Sequence, residues 1–132
     1  LGECSTKSNT NTNSYTYITS CCAYSYANHW KNAAHLIGDA DRAGEIETAL
    51  QARKPEQAFE GAELALMRYA EKLTLSPGDM IEADVAALRD AGLDDGAILE
   101  ANQIICYFNY VNRSINGLGV TTAGDIVGYY AD

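Results

Sequence analysis

No apolar run in the 132-residue chain approaches the ~20 residues needed to cross a bilayer, so the sequence reads as that of a soluble protein. Basic residues are scarce, with 9 Lys and Arg against 18 Asp and Glu and a formal net charge of −9. A surface of that sign attracts neither nucleic acid nor an anionic membrane, and both are excluded as partners. Cysteine is too sparse and too oddly spaced for a disulfide scaffold: Cys4, Cys21, Cys22 and Cys106 are all there is. Cys21 and Cys22 are adjacent, where a disulfide would close a strained ring. With only His29 and His35 and no Cys-x-x-Cys pair, there is no four-ligand zinc pattern. The cysteines therefore read as reduced thiols in a cytoplasmic protein. Gly and Pro, 11 and 2, are too few for disorder, and a hydrophobic fraction of 47% is enough for one core at single-domain length. No signal-peptide pattern is present.

Acid is also unevenly missing. Residues 4–38 contain no Asp or Glu, so apart from Glu3 the whole acidic excess lies from Asp39 onward. The stretch Ser5–Ser20 is dominated by Ser, Thr and Asn and on its own reads as a polar loop or weak strand. From Cys21 the pattern becomes helical. Cys22, Ser25, Tyr26, His29 and Ala33 recur at spacings of three and four, which predicts one face of a helix running to about Leu36 and ended by Gly38. Asp39 or Asp41 is placed to cap a second helix through Ile46 and Leu50. Pro55 suits a first helical turn, followed by the apolar stripe Phe59, Ala62, Leu66, Tyr69, Ala70 and Leu73.

Further on, Ser76-Pro77-Gly78-Asp79 reads as a turn and a cap. Ile81, Val85, Leu88 and Leu93 mark a short amphipathic helix closed by Gly92. Asp94 or Asp95 starts a long last helix, apolar around most of its girth through Ile98, Leu99, Ile104, Ile105, Tyr107, Phe108, Val111 and Ile115. Gly117 and Gly119 stop it, and the tail from Val120 is irregular. Such a helix is buried centrally or packed in a subunit interface. The predicted class is all-α, a single domain over 1–132 with about six helices.

Two segments carry a family resemblance. One begins at Glu63-Leu-Ala-Leu-Met-Arg-Tyr-Ala-Glu-Lys-Leu-Thr-Leu-Ser-Pro, continues through Ala83-Asp-Val-Ala-Ala-Leu-Arg-Asp-Ala-Gly-Leu-Asp, and ends at Tyr107-Phe-Asn-Tyr-Val-Asn-Arg-Ser-Ile-Asn-Gly-Leu-Gly. The other is Cys22-Ala-Tyr-Ser-Tyr-Ala-Asn-His29. The first resembles the C-terminal half of the peroxidase-related branch of the carboxymuconolactone decarboxylase and alkylhydroperoxidase (AhpD-like) superfamily. The second is similar to that family's Cys-x-x-Cys-x-x-x-His active-site stretch.

The resemblance implies an AhpD-like helical fold, further helices ahead of Leu1, and a symmetric homo-oligomer, trimer or hexamer. It implies reduction of an organic hydroperoxide at the expense of a thiol reductant, with no cofactor and no metal. Cys22 stands for the first thiol, Ser25 for the second, His29 for the proton-transfer histidine and Tyr24 for an aromatic that meets substrate. In active members a thiolate attacks the peroxide, becomes a sulfenic acid and is resolved as a disulfide. A helix start suits that chemistry because the positive end of the helix dipole favours a thiolate.

The chain departs from this pattern in three ways, one being that the preceding helix, normally apolar in the family, here reads Thr10-Asn-Thr-Asn-Ser-Tyr-Thr-Tyr17, with poor helix propensity and little apolar area. Ser25 replaces the resolving Cys, and a hydroxyl forms no disulfide. The upstream relay Glu is absent, with Thr10 near its expected place. Loss of one Cys also fits a decarboxylase-like lyase of the same superfamily, and loss of both features fits a catalytically silent oligomeric homologue. Cys21 and Cys106 read as core or interface residues and His35 as structural. Asn109, Asn112 and Arg113 are expected to bond across subunits or to neighbouring helix ends. The acids of residues 39–100 read mostly as solvated helix faces and caps.

Overall fold

A computed structural model describes residues 22–128. Among these the chain is all-helical: α1 (Ala23–Ile37), α2 (Ala40–Gln51), α3 (Gly61–Leu75), α4 (Glu82–Asp90) and α5 (Asp95–Gly117), with 3₁₀ turns at Pro55–Gln57 and Pro77–Asp79. The Ser5–Ser20 stretch and Cys21 lie outside the described residues. No described helix is long and apolar enough to cross a membrane.

The helix ends follow the local chemistry. Gly38 closes α1 at φ 68°, a left-handed conformation that costs a glycine little, and its N–H reaches the Ala34 carbonyl. Asp39 then caps α2, accepting the Arg42 N–H at 3.0 Å, and Asp94 caps α5, accepting the Ala97 N–H at 2.8 Å. At α4 the carboxylate of Asp84 reaches back to the Ile81 N–H at 2.8 Å and also meets Lys72 of α3 at 2.7 Å. The Lys72 hydrogen bond, and then the Ile81 N–H, hold the Asp84 carboxyl below its ordinary range.

Pro55 does not open α3. It heads its own 3₁₀ turn, and α3 starts six residues later. The break is a backbone one: Glu60 is extended and Gly61 takes φ 53°. The Arg42 guanidinium bonds the Ala58 carbonyl and ties this corner to α2.

Four helices share the core. Ile46, Ala49 and Leu50 of α2 meet Leu66, Met67, Tyr69 and Ala70 of α3, Leu88 of α4, and Ile98, Ala101 and Ile105 of α5, with Phe59 from the corner. A fully buried side chain of this size is worth about 1.5–3 kcal/mol. α1 reaches this cluster only at its edge, through Trp30 and Ile37. The side chains it buries most deeply, Cys22, Ser25 and Ala33, form a separate line.

At the far end of α5, Arg113 donates to the Thr74 carbonyl in the last turn of α3, placing a cation where the helix dipole is negative. This is the helix-end bonding expected of that residue. The segment after α5 returns across α1: the Gly128 N–H donates to Asn28 Oδ1 at 3.1 Å, and Lys31 packs so closely that a Cβ at position 128 would meet its Cδ at 2.7 Å.

Candidate active site

α1 carries its polar groups on two flanks of one stripe. With about 100° of rotation per residue, Cys22 and Ala33 run along the middle, Ser25 and His29 lie toward α5, and Tyr26 and Trp30 toward α2. Cys22 is the N-cap residue; its extended backbone starts the helix, its carbonyl accepts the Tyr26 N–H at 2.9 Å, and its side chain makes no capping bond. The thiol is buried, at 3% exposure.

Ser25 is equally buried. Its hydroxyl donates to Asn112 Oδ1 of α5 at 2.5 Å, and Asn112 is itself wholly excluded from solvent. Ser25 is thus engaged in a tie between helices.

His29, one turn beyond Ser25, presents its ring to Phe108 of α5 in an edge-on arrangement, with centroids 5.7 Å apart and planes at 75°. Burial lowers the imidazole below its ordinary value of 6.5, so at neutral pH it is uncharged and able to accept a proton. Tyr24 is not brought to this group. It lies on the other side of α1, where its carbonyl accepts the Asn28 amide at 3.1 Å.

On the opposite flank stands a cluster with an acid in it. The Tyr26 hydroxyl donates to Glu47 Oε1 at 3.1 Å, and Gln51 Nε2 reaches Glu47 Oε1 at 3.0 Å and the Tyr26 hydroxyl at 3.5 Å. Burial raises the Glu47 carboxyl above its ordinary 4.5. Sequence reading counted Glu47 among solvated acids. The available signal was the two-residue link Gly38-Asp39, which folds α2 back along α1 and sets residues roughly equidistant from it side by side.

The remaining predicted positions fall elsewhere. Cys106 is exposed on α5, so it is no core residue, and its thiol is 3.9 Å from Asn102 Oδ1. His35 is exposed in the last turn of α1, where a basic group suits the dipole. Among the described residues no three His, Cys, Asp or Glu side chains group as metal ligands. Two open clefts, of about 390 Å³ beside the Pro55 turn and about 340 Å³ between α3 and α4, are lined by other residues than Cys22, Ser25 and His29.

Two outcomes follow for purified protein. Ser25→Ala strips Asn112 Oδ1 of its buried donor and should lower the urea-unfolding free energy by about 1–3 kcal/mol; an unchanged value would mean the bond contributes nothing. For His29, the unfolded chain takes up a proton at 6.5 and the folded protein only at lower pH. Stability must therefore fall as pH drops from 6.5 through the folded value. His29→Phe should remove that slope, whereas parallel pH dependences for variant and wild type would show that the imidazole is not held neutral. No family model matches this chain, and no curated protein matches it significantly.

Proposed function

We propose that this protein is an alkylhydroperoxidase-like thiol oxidoreductase, with Cys22 as the reactive thiol, Ser25 in the partner position and His29 as a proton-transfer group. The reading rests on the resemblance of Cys22–His29 and of the C-terminal half to the AhpD-like superfamily. The observation that supports it best is a buried thiol at a helix start with a partly buried imidazole two turns further along the same face. α2, α3, α4 and α5 each carry an acid in the first turn, and α1 has none. No first-turn carboxylate therefore occupies the positive end of α1, beside which Cys22 sits as the N-cap residue.

The chemistry balances with a single thiol and an external one. The Cys22 sulfur attacks the hydroperoxide, an S–O bond forms and the O–O bond breaks, giving a sulfenic acid and an alcohol. A small thiol then forms a mixed disulfide and releases water, and a second equivalent restores Cys22. Ser25 takes no part in electron transfer, since its hydroxyl is committed to Asn112.

Organic hydroperoxide should be consumed in the presence of a thiol reductant, and Cys22→Ala should abolish turnover. His29→Ala should lower it by about 10²–10⁴-fold, the usual contribution of a positioned acid–base group. Turnover of a substrate that is indifferent to Cys22→Ala but lost in His29→Ala would favour the lyase of the same superfamily instead.

A homo-oligomer belongs to the same reading. Leu99, Tyr107 and Tyr110 stand 58%, 61% and 71% exposed along one face of α5, an apolar surface of the kind that a second copy covers. Sedimentation should give a mass that is a multiple of the 14.2 kDa chain. A Tyr107→Glu, Tyr110→Glu protein should sediment as the monomer, and a wild type that is already monomeric would overturn the assembly.

A further inference from the structure

The two clefts differ in what they offer a ligand. The one beside the Pro55 turn gathers Glu56, Glu60 and Glu63 about Arg42, whose guanidinium already bonds Glu45 and the Ala58 carbonyl. Its cation is taken. The cleft of about 340 Å³ between α3 and α4 has the reverse make-up. Leu64, Ala65 and Ala87 give it apolar walls, and Arg68, Lys72 and Asp84 supply its charges. Leu64, Ala65, Arg68 and Lys72 share one face of α3, and Ala87 lies one turn beyond Asp84 on α4. Toward the start of α3 the cleft stays open, because Gly61 has no side chain and a Cβ there would meet nothing within 4 Å.

Its two cations are in different states. Lys72 Nζ donates to both oxygens of Asp84, at 2.8 and 2.7 Å, and Asp84 also accepts the Ile81 N–H. That pair is fixed in place and neutral overall. Arg68 is exposed and makes no hydrogen bond or ion pair with any described residue. Glu71 stands three residues further on, the spacing at which Arg42 pairs with Glu45, yet no bond joins it to Arg68. Two cations against one carboxylate give the cleft one net positive charge, in a chain whose formal charge is −9.

We propose that this cleft binds a small organic carboxylate, whose head is held by Arg68 and whose apolar body lies against Leu64, Ala65 and Ala87. A guanidinium presents its N–H donors in a planar fork that matches the two oxygens of a carboxylate. One free charge suits a monoanion. A phosphate monoester brings nearly two negative charges, and the cleft has no second free cation to meet them. The volume stands at the lower end of the range for small-molecule pockets, about 300–1,000 Å³, so the body is short. A medium-chain acid fits it. None of the lining residues belongs to the Cys22–His29 group, and the proposal does not depend on the thiol reading.

Isothermal titration calorimetry of the full chain with octanoate tests it, with octanol and acetate removing the charge and the apolar body in turn. Octanoate should saturate one site and shift the backbone amide resonances of residues 64–72 and 84–87. Octanol and acetate should each bind at least about tenfold more weakly. Arg68→Gln should weaken octanoate by about tenfold or more, and Arg68→Lys should restore only part, because an ammonium lacks the fork. Ala87→Trp, at an exposed position of α4, should fill the cleft and abolish binding with circular dichroism unchanged. Octanoate that fails to saturate would overturn the proposal, as would equal affinity for octanol. So would an Arg68→Gln protein that binds octanoate as the wild type does, or inorganic phosphate bound more tightly than octanoate.

Discussion

The hydroxyl-to-amide bond between Ser25 and Asn112 is the constraint on which the arrangement of α1 depends. α2 to α5 hold one another through a shared apolar core, but α1 joins that core only through Trp30 and Ile37 near its middle and end. Its N-terminal half, where Cys22 lies, has little apolar side chain to bury, and a directional bond takes over the fixing of its position. Both partners are removed from water, so neither can exchange the other for solvent without cost. A register change of a single residue along α1 would turn Ser25 away from Asn112 by about 100°. The bond thus selects which side chains face inward: Cys22 at the centre, His29 against Phe108, and Tyr26 against α2.

That constraint changes what Ser25 means. In sequence the serine is a missing thiol, a loss measured against a motif. In the folded protein it is a hydrogen-bond donor that a cysteine would replace poorly, since S–H is a weak donor. Serine at position 25 thus serves as the connection between α1 and α5. Along the same helix Cys22 is a buried thiol, His29 meets Phe108 of α5, and Tyr26 bonds Glu47 of α2.

Most of the fold was legible because its signals are local. Gly38 ended α1, Asp39 and Asp94 capped the helices that follow them, and spacings of three and four marked the buried faces of α3 and α5. The error at Pro55 has a local origin too. Proline permits a helix start without requiring one, and the break at Glu60-Gly61 is set by backbone conformations that periodicity does not report. The site was legible only along α1. Cys22, Ser25 and His29 could be grouped by helical spacing, but Asn112 and Glu47 come from elements 87 and 21 residues away from their partners. No pattern within a single helix links them. Tyr24 was grouped by motif position alone, and the helical step carries it to the other side.

The two flanks of Cys22 share one electrostatic property. Burial lowers His29 and raises Glu47, and in both cases it disfavours the charged form. Their effects on stability then have opposite signs. Protonating His29 costs the fold as pH falls below 6.5, whereas ionising Glu47 costs it as pH rises above 4.5. Two groups on opposite flanks of α1 thus both favour their neutral forms, and for the same reason.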